Sequence, residues 1–455
     1  MEEPFVIVGG DAAGMSAASK ARRDDPGLKI VVFEKGEWVS YAACGMPYYV
    51  KGEVETLDDL VAVTPEEFVE ERDIDLRTNH EVVAIDPDAR TVTVEGPGGD
   101  RFEQPYGTLL IGTGASAIRP PFEGIDLEGV FTIHDMDEAD AIDDYVDVYA
   151  PETAAIVGGG YVGVEMAEAL VARGLDVSLF EMLPQVMAPF GEAVGEKVAA
   201  HLREQDVDLH LETAVEGFEG DGRGERDGRV DAVDLGEESV PADLVVVGVG
   251  VEPNVDLAAE AGIELGSTGA IATDEYGRTS APDVYAAGDC AEATNTVIGE
   301  PDWVPLALTA NRSGRAIGQT VTGSPTEVGE IAGTAIVKAF DLGAARTGIL
   351  DEEEAREAGF DPVSVTISAP TRAHYYPGAE KLTVTLVGDR ETGRVLGASV
   401  VGKEGAKRID PVAAALHEGA TVADLESYDL AYAPPFGPVW DPILTAARVL
   451  HGKLQ

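Results

Sequence analysis

The chain has two cysteines, Cys44 and Cys290. Cys44 lies in SYAACGMPYY (40–49), among small and aromatic residues. A CxxC or CxxxxC partner would stand at Tyr41, Pro47, Val39 or Tyr49, so this thiol has no nearby partner in sequence. Gly45, and Pro47 at a favoured first-turn position, predict a helix start beside it. A helix N-terminus lowers a thiol pKa, so Cys44 is expected to be a reactive thiolate; the alternative is a buried small hydrophobe. A single thiolate cannot close an internal disulfide. It can form a mixed disulfide with a small thiol, or a sulfenic acid with peroxide. Cys290 directly follows Gly288-Asp289 and reads as structural.

Two glycine-rich turns carry the second kind of chemistry. The first is Gly9-Gly10-Asp11-Ala12-Ala13-Gly14, between the strand-like FVIV and a helix-like run. The dinucleotide fingerprint wants glycine at the first, third and sixth places, and the third here is Asp11. Glu34 ends the following strand, placed to bind a ribose hydroxyl while helix N-terminal amides face a pyrophosphate. The second turn, Gly158-Gly159-Gly160-Tyr161-Val162-Gly163, fills all three places with Gly158, Gly160 and Gly163, and Glu181 ends its next strand. Two such sites imply a flavin and a nicotinamide with electron transfer between them. Glu181, with no arginine close behind, favours a free 2′-hydroxyl and so NADH.

The two units must be positioned by a duplicated strand–turn–helix–strand frame, repeated about 150 residues apart. TLLIGTGASAIRPP (108–121) and DLVVVGVGVEPNVDL (243–257) are apolar strands ending in glycine turns, and mark crossings between domains. GRTSAPDVYAAGDCAEA (277–293) is another strand, ending at Gly288-Asp289. After about residue 330, AIVKAFD, VTISAP, KLTVTLVGD and VLGASVVG alternate as strands and PVAAALHEGA reads as a helix. The predicted domains are 1–115 with 243–328, 116–242, and 329–455.

At 455 residues the chain is too long for one core. Its 32 basic and 84 acidic residues leave a formal charge of −52, spread along the whole chain. Such a surface repels nucleic acid and anionic membranes, and suggests a salt-rich cytoplasm whose ions screen the repulsion. No apolar run reaches the ~18 residues of a membrane helix, FVIV follows the start at once, and two cysteines cannot staple a secreted scaffold. A soluble cytoplasmic protein is expected.

Taken together, GGDAAGMSAA (9–18), SYAACGMPYY (40–49), GGGYVG, Gly288-Asp289, VPLALTANRSGR (304–315), AHYYPG (373–378), GKEGAKRID (402–410) and AYAPPFGPVWDP (431–442) resemble the FAD-dependent pyridine nucleotide–disulfide oxidoreductases. The chain is most similar to the single-cysteine branch, the coenzyme A-disulfide reductases, with NADH oxidases and peroxidases as cousins. The resemblance implies two Rossmann-like α/β domains, for FAD and NAD(P)H, and a C-terminal α+β dimerisation domain. It implies that Gly9–Gly14, Glu34, Lys35, Gly114, Gly250, Gly288, Asp289, Pro305 and Ala307 serve the FAD unit. Asp289 would bind the ribityl–phosphate part. The second turn, Tyr161, Glu165 and Glu181 would serve NAD(P)H. Tyr161 looks like the aromatic that swings aside for nicotinamide, or is a packing tyrosine. Glu165 helps place the nicotinamide, or solvates its helix.

Two-cysteine relatives use a C-terminal His-Glu pair. Here His417-Glu418 reads as surface, and Tyr375 and Tyr432 match the tyrosines that replace it, reaching the partner subunit's active site in a homodimer. A phenol there can hydrogen-bond or protonate a leaving thiolate. Tyr375 and Tyr376 would point opposite ways in a strand, and Tyr375 is the one chosen. Ser16, Lys20 and Arg23 share one helix face at i, i+4, i+7, with Arg22 beside them, and suit the phosphates of coenzyme A. Ser40, Arg72, Asn311 and Trp440 match further substrate positions. Ala43 and Trp440 depart from the polar and basic residues of some relatives. The expected activity is NAD(P)H-dependent reduction of coenzyme A disulfide. NADH oxidase or peroxidase, persulfide reductase, or a flavin-binding redox sensor are the alternatives. The end at Gln455 is expected to leave no room for a fused sulfur-transfer domain.

Overall fold

The computed structural model describes residues 3–220, 222 and 228–455. The parts of the predicted domains at residues 1–2, 221 and 223–227 lie outside these. The first unit is a parallel five-stranded sheet in the order Val284–Ala286, Thr108–Ile111, Phe5–Val8, Ile30–Phe33, Asp75–Arg77. Its strands are near-continuous apolar runs because helices and loops cover both faces. The helix Ala12–Asp24 lies against the helix Ala307–Val321, and their meeting faces are stripped to small residues. A Cβ on Gly314 would fall 2.1 Å from the Ala13 carbonyl oxygen, and one on Gly318 2.5 Å from that of Ala17.

The second parallel sheet runs Asp208–His210, Asp176–Phe180, Thr153–Val157, Leu244–Val247, Val130–Phe131. Leu244–Val247, which the sequence boundary at 243 assigned to the first domain, belongs to this sheet. Its four apolar residues are buried beside Thr153–Val157, and the chain leaves only after Gly248. The crossing itself is a two-stranded ribbon, Ala115–Ala117 against Val251–Pro253. Asn254 locks it, donating its amide to the Gly114 carbonyl at 3.0 Å and its side-chain NH2 to the Thr113 carbonyl at 2.9 Å.

The third unit is an antiparallel five-stranded sheet, order Ala335–Ala339, Leu342–Gly348, Val395–Gly402, Lys381–Asp389, Pro362–Pro370. The helices Asp410–His417 and Pro442–Leu454 bury Val412, Ala415, Leu416, Ile443, Ala446, Ala447 and Leu450 against it. His417 and Glu418 are exposed, as expected. Among the described residues, no helix is long and apolar enough to cross a membrane, and no acidic, His or Cys cluster is shaped to hold a metal ion.

Candidate active site

The first glycine turn is held by its closeness to its neighbours. Gly9 takes φ +102°, and a Cβ there would fall 2.1 Å from the Gly112 carbonyl oxygen. A Cβ on Gly14 would fall 2.0 Å from the Gly9 carbonyl oxygen. Glu34 spans the turn, accepting the Gly10 amide at 2.7 Å and the Gly36 amide at 2.8 Å. Lys35 next to it is exposed.

The mismatch at Asp11 has a structural explanation that the sequence did not reveal. Its carboxylate accepts the Tyr41 amide at 3.1 Å, and the Ser40 amide donates to the Gly10 carbonyl at 3.0 Å. The cysteine loop is therefore fastened directly to the nucleotide turn. Ser40 bends into it at φ +49°. Burial, and next to it the charges of Glu34 and Asp289, raises Asp11 to about 6, although the Ala12 and Tyr41 amides pull it back.

The second turn repeats the first. A Cβ on Gly163 would fall 2.0 Å from the Gly158 carbonyl oxygen, and Glu181 accepts the Gly159 amide at 2.7 Å and the Leu183 amide at 2.8 Å. Gly160 differs: a Cβ there would meet nothing within 4 Å. No side chain caps the helix Tyr161–Ala172 or the helix Ala12–Asp24. Their first amides thus face outward over cradles only glycine can line, which suits a pyrophosphate at each. Asp289 stands over the first cradle. Gly288 takes φ +81°, a Cβ there would lie 3.1 Å from Ala13 Cβ, and the Asp289 carbonyl accepts the Trp303 indole at 2.8 Å. Desolvation raises Asp289. The residues fit FAD at the first unit and a nicotinamide nucleotide at the second. Gly114 and Gly250, by contrast, sit at the crossing ribbon. Pro305 and Ala307 lead into the helix that packs on the first one.

Cys44 is exposed, in the short turn Ala43–Gly45 that runs into the helix Met46–Lys51, with Pro47 in its first turn. The predicted helix start is there. The predicted thiol acidity is not. Although one side of Cys44 is open to solvent, the surrounding protein desolvates it. That effect first, and then Glu165 and Asp289, push the thiol up. The helix behind it has six residues, too few for a full dipole to offset two carboxylates.

Glu165 comes from the second unit. Tyr161, Glu165 and Glu168 stand at i, i+4, i+7 on their helix and meet Cys44, Tyr48 and Lys51, at the same intervals, on the cysteine segment. Tyr161 is exposed, and its hydroxyl is pushed up by burial of its surroundings and by Asp289 and Cys44. The Tyr48 hydroxyl donates to Glu165 Oε1 at 3.1 Å, and Lys51 Nζ lies 2.7 Å from Glu168 Oε1. The buried Glu168 is also bound by Lys338 Nζ and, at 2.7 Å, by the Phe340 amide of the third unit. Tyr48, Lys51 and Glu168 were not singled out by sequence; only the equal spacing on two distant segments could have signalled them. Cys290 is fully buried, its thiol directed at the carbonyls of Ala287 and Ile111.

On the substrate face, Ser16 and Asn311 do meet: the Ser16 hydroxyl donates to Asn311 Oδ1 at 2.7 Å across 295 residues of sequence. Lys20 pairs with Asp24 at 2.6 Å, and Arg23 is exposed. Arg22 is not part of a phosphate cluster. Its guanidinium is consumed by the carbonyls of Pro26, Arg72 and Asp73. Arg72 bonds Ser19 at 3.1 Å and Glu67 at 2.6 Å, beside the helix that carries Ser16 and Lys20.

Tyr375 and Tyr432 stand together, their hydroxyls 3.4 Å apart. The strand assumed for Tyr375 and Tyr376 is absent. They lie in the turn segment between Pro362–Pro370 and Lys381–Asp389, where the Tyr376 amide closes back on the Ala373 carbonyl at 2.8 Å. Arg408 ties the two tyrosine segments, donating to the carbonyls of Thr371 at 2.9 Å and Phe436 at 2.6 Å and pairing with Asp441. Tyr375, Tyr432, Phe436, Val439 and Trp440 form an exposed apolar patch, with Arg448 over the Trp440 ring.

Comparison with known proteins agrees with this geometry. Residues 3–314 match the model of the pyridine nucleotide-disulphide oxidoreductases, and residues 334–442 that of their dimerisation domain. The chain belongs to the pyridine nucleotide-disulphide oxidoreductase family. It is 42% identical to the NAD(P)H coenzyme A polysulfide/persulfide reductase of Pyrococcus horikoshii, over 99% of both chains. It is 32% identical to the coenzyme A disulfide reductase of Staphylococcus haemolyticus, over 95% of this chain and 96% of that one. The solved NAD-dependent persulfide reductase from A. fulgidus superimposes with a TM-score of 0.93 at 38% identity, over 99% of this chain and 83% of that chain. The fold class expected from the sequence is the one found.

Proposed function

We propose that the protein is an NAD(P)H-dependent flavoprotein reductase of low-molecular-weight disulfides, with coenzyme A disulfide or persulfide as substrate. One observation carries this reading. The single exposed thiol, Cys44, sits where the two nucleotide units meet, and the other cysteine is buried on backbone carbonyls, out of any disulfide. The second half of the redox bond therefore comes from the substrate. The relatives reduce coenzyme A disulfide or persulfide by their names, which favours the same acceptor class here.

Bound FAD and NAD(P)H supply the electron pair. The chain's own residues do the rest. Cys44, as thiolate, attacks the substrate's S–S bond and forms a mixed disulfide while one thiol leaves. Ser16, Lys20, Arg23 and Asn311 line a helix face suited to the substrate's phosphates, with Ser40, Arg72 and Trp440 as outlying contacts. In a homodimer, Tyr375 and Tyr432 of one protomer face the partner's Cys44 and hydrogen-bond the leaving sulfur. Their exposed apolar surroundings support such a docking role. Glu181, already bound to two backbone amides, favours the free 2′-hydroxyl of NADH. Residues 1–115 with about 248–328, 116–247 and 329–455 are the domains we assign. A salt-rich cytoplasm suits the charge of −52.

The test is a substrate panel of coenzyme A disulfide, coenzyme A persulfide, peroxide and oxygen, with NADH and NADPH each. Turnover of a coenzyme A substrate that vanishes in Cys44→Ser supports the proposal. A Cys44→Ser variant with full disulfide reduction overturns the mechanism. Turnover confined to peroxide or oxygen assigns the sulfenic acid chemistry of an oxidase, and no turnover with any acceptor assigns a sensor.

A further inference from the structure

Cys44 poses a problem for the reaction proposed above. A nucleophilic thiol must lose its proton, yet this one sits beside carboxylates that oppose a second negative charge. The matched helix stripes supply an answer. Cys44 and Tyr48 are one turn apart on one segment, as are Tyr161 and Glu165 on the other. The Tyr48 hydroxyl fixes the Glu165 carboxylate at 3.1 Å on the face that holds Cys44. The half-buried Glu165 has little else to bind among the described residues, because Lys51 and Lys338 are spent on Glu168, one turn further on.

We infer that Glu165 is the proton acceptor for Cys44, and that Tyr48 is the residue that positions it. The inference rests on the reading of Cys44 as the nucleophile. In the step, the Cys44 S–H bond breaks and its proton goes to the Glu165 carboxylate. The thiolate sulfur bonds one sulfur of the substrate disulfide, and the substrate S–S bond breaks. The leaving sulfur takes the bond's electron pair and then the proton from Glu165. The carboxylate is restored, and no outside oxidant or reductant is needed. The pair carries one negative charge throughout, so neither group has to ionise against the other.

The charges around the pair are consistent with this. Burial raises Glu165 to about 7, with Glu168 adding to the rise and the Tyr48 hydrogen bond and Lys338 opposing it. Cys44 is faced by Glu165, Asp289 and Asp11. A group near neutrality beside the thiol is an efficient base at physiological pH.

Two readouts separate this inference from the function on which it rests. The first is alkylation of Cys44 by iodoacetamide in the holoenzyme without NAD(P)H, followed against pH. Glu165→Gln removes the foremost carboxylate and should lower the alkylation midpoint by about one pH unit, with a single inflection. Tyr48→Phe should leave the thiol protected, as in the wild type. The second is the pH profile of kcat/KM for the disulfide at saturating NADH. The wild type should lose activity below about pH 7 as Glu165 takes up a proton. Tyr48→Phe removes a bond that favours the carboxylate, so its acidic limb should move to higher pH. Glu165→Gln should lose the limb, with kcat/KM about 10²-fold lower or more. An unchanged alkylation profile in Glu165→Gln, or an acidic limb retained at its original pH, overturns the inference. If no disulfide is turned over, the alkylation profiles still decide whether Glu165 and Cys44 titrate together.

Discussion

Glu168 joins all three units of the chain, and removing it should loosen them together. It is 4% exposed and accepts from Lys51, Lys338 and the Phe340 amide. Lys51 is itself largely covered, its side chain 15% exposed, so this pair lies in a low-dielectric setting. Lys338 is 45% exposed and contributes less, about 0.5 kcal/mol. Glu168→Ala leaves a covered ammonium and a backbone N–H unpaired, a loss of about 4 kcal/mol. Glu168→Gln keeps an acceptor for Phe340 and should lose about half of that. With a urea m-value of about 3 kcal/mol/M, the alanine variant should unfold about 1 M urea earlier. Unfolding followed by tryptophan fluorescence and by far-UV circular dichroism would measure this, and the two probes should separate as the units uncouple. A cycle with Lys51→Met should give a coupling of about 1–2 kcal/mol. Equal midpoints for Glu168→Ala and wild type, or strictly additive losses in the cycle, would refute the clamp.

Three other outcomes follow from the geometry. Asp11 has a folded pKa of about 6 against an ordinary 3.8, so its contribution is favourable below 3.8 and is lost as pH rises through 6. Asp11→Asn should therefore gain about 2 kcal/mol over wild type at pH 7 in flavin-free protein and nothing at pH 4, read from thermal melts at both; equal gains at the two pH values would count against it. Gly163→Ala should fail to fold its second unit, because the Cβ strikes the Gly158 carbonyl, whereas Gly160→Ala should melt like wild type. The Gly160 variant should still bind NADH weakly in a fluorescence titration, since its methyl group enters the cradle. Raising KCl from 0.1 to about 3 M should raise the melting temperature by screening surface repulsion; a melt unaffected by salt would remove the argument for a salt-adapted protein.

What could be read from the sequence was local. A strand–turn–helix with so close a return forces glycine where Gly9, Gly14, Gly158 and Gly163 stand, so the two nucleotide turns and their strand-end acids Glu34 and Glu181 were visible before any fold. Apolar runs set the parallel strands, and alternation set the third unit. The lone cysteine and its helix start were equally plain. Resemblance, rather than spacing, singled out Tyr375 and Tyr432, and folding brought their hydroxyls together over 57 residues. Three matters belonged to the tertiary structure. The second sheet keeps Leu244–Val247 because strand order depends on a long-range pairing with Thr153–Val157. Arg22 is consumed by backbone carbonyls of a segment 50 residues away, so a basic residue in sequence was not a free cation in space. The acidity of Cys44 turned the other way, because a pKa follows desolvation and the charges that arrive from elsewhere. Glu165 is 121 residues downstream of Cys44 in the numbering, and only the packing of two helices in matched register put its carboxylate beside the thiol.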